Sequence, residues 1–424
     1  MTVEVTRLGN GLTVMTDPMP HLETLSLGIY VASGSRHERT PAEHGISHLL
    51  EHMAFKGTAR RTAQAIAEEI EAAGGETNAA TGVEVTAYYA RMLKGDAPLA
   101  LDVLADILLN PLFTAADLAV EKDVITQEIR AAHDQPEDIV LDLFEETAFP
   151  DQPLGRAILG TEKSVAAISS EALRHHLATH YRPSSLVLTG AGAIEHDDLV
   201  RHAEAQFGGL NPGTRPDPVA AAYRGGIGSF DGAFEQTHVV LGLPAPSYLE
   251  PDFITTQILA GVLGGGASSR LFQEARETRG LCYSIYAFAS GFADAGLLGI
   301  HASTGPEQVG ELRDIMVREL SDIATKGPTE AELRRVKAQL KAGLLMALES
   351  SGARADQIAR QMLAFGRPIG LAEMTERIEA VTVAAVRDRA QSSLAGAPTW
   401  AEVGPGAKRG GAEMANLFHK HGMA

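Results

Sequence analysis

The sequence of 424 residues predicts an α+β protein of two homologous domains, each a mainly antiparallel sheet packed with helices. Three observations carry this reading. Two stretches of the chain resemble each other at a shift of ~215 residues, far above the roughly 20–50 of stacked solenoid repeats. Strand-like runs fall in hairpin-like groups, with the helical patterns gathered between them rather than alternating one for one. A segment rich in proline and glycine, Asn211 to Gly226, lies near the midpoint.

Taken in order, residues 25–32 (LSLGIYVA), 84–90 (EVTAYYA) and 185–190 (SLVLTG) read as strands, from their β-branched and aromatic content. In the second half, His238 to Leu243 and Leu297 to Ala302 read the same way. Arg61 to Ala73 is helical in pattern and stops at Gly74–Gly75, a C-terminal signal. Ala97 to Leu109 is amphipathic, and a third helix starts at the N-cap candidate Thr114 and runs past Arg130. The repeat sets Thr114 against Thr329, Leu118 against Leu333, and Ala148–Phe149 against Ala364–Phe365. The expected division is therefore 1–212, a linker 213–226, and 227–424.

Composition narrows the function classes. The charge of 36 − 54 = −18 argues against nucleic acid, which needs clustered Lys and Arg. A single cysteine, Cys282, excludes an intramolecular disulfide framework and any cysteine-rich zinc module. The N-terminus shows neither a basic n-region nor an apolar h-region, and no run reaches the ~18–20 apolar residues of a membrane span. A cytoplasmic protein without membrane partners is the expectation. No phosphate-binding glycine motif is complete: after Gly190–Ala191–Gly192, Glu195 takes the third glycine's place. His175 and His176 read as surface residues, and His419 and His421 as part of a tail rather than a second metal site.

The informative stretch is His44 to Thr58. On a helix, His48 and His52 project from one face, a turn apart, so both imidazoles can reach one zinc ion at ~2.0–2.1 Å. Glu51 lies one turn from His48, placed to approach water at such an ion without being a ligand. This is the H-x-x-E-H order known from zinc peptidases. A random chain of this composition would hold H-x-x-[DE]-H about 0.07 times, so the motif is informative yet short. Catalytic zinc takes three protein ligands and leaves a position open, so a third is required. The helix after Thr114 offers Glu121 and Glu128, seven residues apart and on one face. By pattern alone these two acids equally suit a solvated face.

An H-x-x-E-H followed 76 residues after His52 (128 − 52) by the acid of VEKDVITQEI resembles the pitrilysin and mitochondrial processing peptidase family. The resemblance covers essentially the whole chain, including HMAFKGT, GGETNAATGVEVTAYYA and SSRLFQEARETRGLCYS. It implies His48, His52 and Glu128 as ligands of one zinc ion, Glu51 as general base and Glu121 as a supporting acid. Arg276 and Tyr283 match the family's substrate-binding pair from the domain without zinc; otherwise they read as a surface arginine and a strand residue. Asn78 and Ala79 match an edge strand to which a peptide adds, or else form an ordinary hairpin turning at Thr81–Gly82. Phe55 matches a residue near the pocket beyond the cleaved bond, with core packing as its alternative. Asp138 and Asp142 resemble acids that recognise basic residues before the cleavage site, and equally suit a solvated helix face.

At the repeat shift Glu121 faces Val336 and Glu128 faces Gly343, so one metal site per chain is expected. The resemblance implies a zinc endopeptidase whose two domains form a clamshell, closing on peptide substrates. Its alternative is a core or assembly subunit of the same fold without catalysis; such subunits usually lack some of these residues, and none is missing here. The chain has about half the length of the family's four-domain members, so a homodimer is the expected assembly.

Overall fold

The computed structural model describes residues 3–408 and Met414. In chain order the first half holds β1 (Glu4–Arg7), β2 (Thr13–Pro18), β3 (Thr24–Val31), α1 (Ile46–Ala54), α2 (Ala63–Ala72), β4 (Glu76–Thr81) and β5 (Thr86–Leu93). There follow α3 (Ala97–Leu109), α4 (Ala115–His133), α5 (Pro136–Ala148), α6 (Glu162–Ala167), α7 (Ser170–His180), β6 (Leu186–Gly192) and α8 (His196–Phe207). The second half runs β7 (Gly226–Phe230), β8 (Thr237–Ala245), α9 (Asp252–Gly264), a π-helical turn (Phe272–Thr278), β9 (Cys282–Gly291) and β10 (Gly296–Thr304). It ends with α10 (Val309–Lys326), α11 (Glu330–Ala347), α12 (Ser351–Phe365), α13 (Leu371–Ala380), α14 (Val383–Leu394) and β11 (Thr399–Val403).

The first sheet has the order β1-β2-β6-β3-β5-β4 and the second β7-β11-β8-β10-β9. Apart from β1, the two orders are the same path. Each has one parallel pair, β2 with β6 and β7 with β11, and is otherwise antiparallel. From Thr24 to Thr237 and from Leu186 to Thr399 the offset is 237 − 24 = 399 − 186 = 213 residues. The α+β reading and the internal repeat both hold.

Local chemistry explains the elements. Thr62 caps α2, its hydroxyl accepting Ala65 N–H at 3.1 Å. That helix ends where Gly74 takes a φ of 72°, a conformation that glycine adopts without penalty. β3 is apolar along nearly its whole length because both faces are covered. Leu25, Leu27, Ile29 and Val31 join a core with α3 and α8, while Tyr30 packs with Met15, Ala87, Val187, Ile358 and Met362.

Those last partners come from α12, which lies in the other half of the sequence. The chain forms two compact units, and neither is contiguous. The first comprises residues 1–130, 156–219 and 345–369; the second comprises 131–155, 220–344 and the remainder from 370. Helix α12 thus packs on β2, β3 and β6, and α5 packs on β7, β8 and β11. In the first unit, Arg354 pairs with Asp17 at 3.1 Å and Ser351 meets Ser26 at 2.9 Å. In the second, Phe144 of α5 meets Phe288 edge-on at 6.1 Å, over Gly242, where any Cβ would collide with the Phe144 ring. These helices occupy the same place in the repeat, so each half of the sequence supplies one helix to the other's sheet. A single cut at 213–226 does not describe the compact units. The linker itself is held by both: Arg36 and Arg39 donate to the carbonyls of Val219 and Asp217, and Gln152 exchanges two bonds with Ala222.

No helix among the described residues is long and apolar enough to cross a membrane. His175 is exposed as expected, but His176 is buried: it shares the inward face of α7 with Leu173 and His180. Burial, then nearby Arg215, pushes His37 down to about 3 and His180 to about 4, and burial lowers His176 as well. These rings stay neutral in the fold, whereas an unfolded histidine gains its proton near 6.5. At these sites the unfolded chain binds more protons below that pH, so their contribution to stability is lost as pH falls from about 6.5 toward 4, against an opposite contribution from the fewer carboxyls that burial raises, Glu38 and Glu145. The melting temperature is expected to decline from about pH 6.5, above the carboxylate range; a flat profile down to pH 5 would contradict this.

Candidate metal centre

Helix α1 is placed by its apolar stripe. Ile46, Leu49, Leu50 and Met53 are buried against Leu118, Ile125 and Ile129 of α4 and Val165, Ile168 and Leu173. That leaves His48, Glu51 and His52 on the remaining face, and sets α4 alongside so that Glu121 and Glu128, two turns apart, approach the histidines.

His52 Nδ1 meets Glu121 Oε2 at 2.9 Å, which leaves Nε2 directed toward Glu128 Oε2 at 3.6 Å. His48 Nε2 lies 3.8 Å from the same Glu128 oxygen. The two imidazole centroids are 4.6 Å apart. One donor atom from each of His48, His52 and Glu128 falls within 4.8 Å of the others, the one such group of three among the described residues. Tetrahedral bonds of ~2.0–2.1 Å place donors roughly 3.4 Å apart, close to the observed separations. Glu128 Oε2 is buried with no hydrogen-bond partner, as suits an atom whose partner is an ion. Burial, then His52, pushes His48 down to about 4, so its ring is neutral and has a lone pair to give. The donor set therefore fits zinc.

Glu121 is buried, against the solvated-face alternative, and its second oxygen pairs with Lys56 Nζ at 2.7 Å. A carboxylate behind a ligand histidine fixes its tautomer and ring orientation. Glu51 Oε2 accepts a 2.5 Å bond from Thr81 Oγ1, at the end of β4. Beyond it the buried Tyr88 and the partly buried Tyr181 share a 3.0 Å hydroxyl contact, and burial first, with a lesser contribution from the Glu51 charge, raises both phenols. Lys56, Thr81 and the tyrosine pair escaped sequence reasoning. Lys56 had a signal, standing one helical turn beyond His52; Thr81 and Tyr88 meet the site only through the sheet, and Tyr181 through the end of α7.

Of the remaining expected residues, Asn78 and Ala79 lie on β4 at the sheet edge, with Ala79 N–H donating to Asn78 Oδ1 at 2.8 Å. The β4–β5 turn closes at Gly82, whose N–H meets Val85 O at 2.9 Å. Phe55, the C-cap of α1, packs near Tyr88 with ring centroids 6.4 Å apart. Arg276 and Tyr283 belong to the second unit and meet there: the guanidinium stacks 4.7 Å from the Tyr283 ring and 4.6 Å from Phe272. Tyr283 is 76% exposed, high for a large aromatic ring. Asp138 and Asp142 are one turn apart on α5, also in the second unit. Surrounding protein, then Asp138, raises Asp142 to about 6. His419 and His421 lie outside the described residues.

Residues 13–162 match the family model described as insulinase (peptidase family M16), and 167–340 match the peptidase M16 inactive domain. An uncharacterized zinc protease of Streptomyces coelicolor is 40% identical over 413 residues, 95% of this chain and 90% of that protein. One from Rickettsia felis is 38% identical over 96% of this chain and 98% of its own length. A similarly named Bacillus subtilis protein is 35% identical over 90% of this chain and 93% of its own. In fold, the chain is similar to a Helicobacter pylori protease (TM-score 0.88, 21% identity, 95% of this chain and 99% of that one). It is also similar to a peptidase M16 inactive domain from Pseudomonas fluorescens (TM-score 0.87, 22% identity, 96% and 98% coverage). Matched over both halves of the repeat and along nearly its full length, the chain belongs to peptidase family M16.

Proposed function

We propose that this chain is a zinc-dependent endopeptidase acting on peptides or unfolded, presequence-like segments. The observation that carries the reading is the convergence of His48, His52 and Glu128, with Glu51 one turn away on the same helix and not among the donors. Bound there, one zinc ion per chain would supply a Lewis acid and lower the pKa of water toward ~7. Glu121 holds His52 in orientation. Glu51 takes a proton from the attacking water and returns it to the leaving amine, a role needing a carboxylate near the metal but off it. The relatives named zinc proteases support this chemistry.

The finer assignments rest on the family resemblance. A peptide adds along β4 at Asn78 and Ala79, with Phe55 beside the pocket beyond the cleaved bond. Arg276 and Tyr283 contribute substrate contacts from the second unit, which requires closure of a chamber around the peptide in each turnover. Asp138 and Asp142 select basic residues, and two copies of the chain pair as a homodimer in the cytoplasm. Metal analysis of the purified protein should return one zinc per chain, removable by chelation with loss of activity. Incubating zinc-loaded protein with a diverse peptide mixture, and mapping cuts by mass spectrometry, should show Arg or Lys enriched before the cleaved bond. No cleavage of any peptide would defeat the enzymatic reading; cleavage without enrichment would remove the role of Asp138 and Asp142.

A further inference from the structure

The first turn of α1 has an unusual N-terminus. Its N-cap is Gly45, at φ 89°, and no side chain of its own caps it. A Cβ there would lie 2.8 Å from Leu159 O and 3.0 Å from Gly160 Cα, so a Ser, Thr, Asp or Asn cannot take the place. The backbone donors are satisfied from elsewhere. Glu38, completely buried, accepts Gly45 N–H at Oε2 (2.9 Å) and Ser47 N–H at Oε1 (3.0 Å). Burial raises the Glu38 carboxyl, and the Ser47 and Gly45 donors, one on each oxygen, act against it in favour of the carboxylate. The segment carrying it is fastened in turn by Arg156, whose Nη1 donates to Glu38 O at 2.9 Å and Thr40 O at 3.3 Å.

This clamp falls on the turn that carries His48, and the two histidines differ in what orients them. His52 is held by Glu121 through Nδ1. His48 Nδ1 is buried with no hydrogen-bond partner, so no carboxylate orients its ring from behind as Glu121 does for His52. Its position depends on the backbone of the first turn of α1. We infer that Glu38 is a positioning residue for the metal centre: it caps α1 from outside the helix and, through the backbone, sets His48 as Glu121 sets His52.

The inference rests on the zinc reading of His48, His52 and Glu128, and the test separates the two. Wild-type protein, Glu38→Gln and Arg156→Met are compared by zinc competition with a chromogenic chelator and by the visible spectrum of the cobalt form. Circular dichroism and melting of the metal-free proteins run in parallel. A glutamine has one acceptor oxygen for two N–H donors, so one clamp bond is lost. Zinc affinity should fall ~10–100-fold in Glu38→Gln, as for loss of other groups that orient a ligand, with an altered cobalt spectrum and native circular dichroism. Arg156→Met, at a partly exposed side chain, should move both readings less and in the same direction. Unchanged affinity and spectrum in both variants, or a lower melting temperature alone, would overturn the inference. If Glu38→Gln fails to fold, Arg156→Met decides on the same criteria. A wild-type protein that binds no zinc would instead remove the metal reading on which this rests.

Discussion

Glu51→Gln is expected to lower kcat for peptide hydrolysis by ~10²–10⁴-fold or more and to leave zinc bound. The side chain keeps its volume, and the amide oxygen can still accept from Thr81 Oγ1, so the bond that seats residue 51 against β4 survives. The donors His48, His52 and Glu128 are untouched, which separates this variant from any ligand substitution. What is lost is a basic oxygen able to take a proton from water and pass it on. Because no uniform binding contact is removed, KM should change little while kcat collapses. The measurement is steady-state hydrolysis of a peptide found to be cleaved, with zinc content determined on the same preparation. Retained turnover would sink Glu51 as the base; loss of zinc would make it structural.

A fragment ending at residue 212 is expected not to fold by itself, nor its complement, and the two are expected to associate when expressed together. The first fragment lacks α12, so Met15, Tyr30, Ala87 and Val187 lose the cover of Ile358, Ala359 and Met362. Asp17 also loses Arg354, and Ser26 loses Ser351. Each large apolar side chain so uncovered costs ~1.5–3 kcal/mol, and a buried ion pair with one partner removed costs ~3–5 kcal/mol. Together these consume most of the ~5–15 kcal/mol of a typical domain. The fragment also retains α5, whose Phe144 has its place over Gly242 in the other unit. Proteolytic nicking within 213–219 should leave the pieces together on size exclusion, since each still holds a helix of the other's unit. A soluble 1–212 fragment with cooperative unfolding would contradict this.

Much of the fold was legible because its signals are local. β-branched and apolar runs mark β3 and β8, and helical periodicity with the Thr114 cap marks α4. The Thr114 and Thr329 correspondence of the repeat is structural: Leu118 N–H and Leu333 N–H close the first turns of α4 and α11 on their carbonyls at 3.0 Å. The candidate donors were legible in part for the same reason: residues four or seven apart on a helix share a face, which pairs His48 with His52 and Glu121 with Glu128, while the choice of Glu128 as third ligand came from the family resemblance. His176 was misjudged because which face of α7 turns inward is decided by its neighbours rather than by spacing.

By itself, then, the sequence determined the two-copy α+β plan and the helix carrying His48, Glu51 and His52; the family resemblance added Glu128 as the third candidate donor. Tertiary structure alone decided that α5 and α12 trade places. The repeat matched Ala148–Phe149 to Ala364–Phe365, at the ends of these two helices, but an amphipathic helix carries no mark of which of two equivalent sheets it will cover. Tertiary structure also decided what holds the centre in place: Lys56 on Glu121, Thr81 on Glu51 and Glu38 at the start of α1. Those bonds join residues brought together by packing, and no periodicity in the chain announces them.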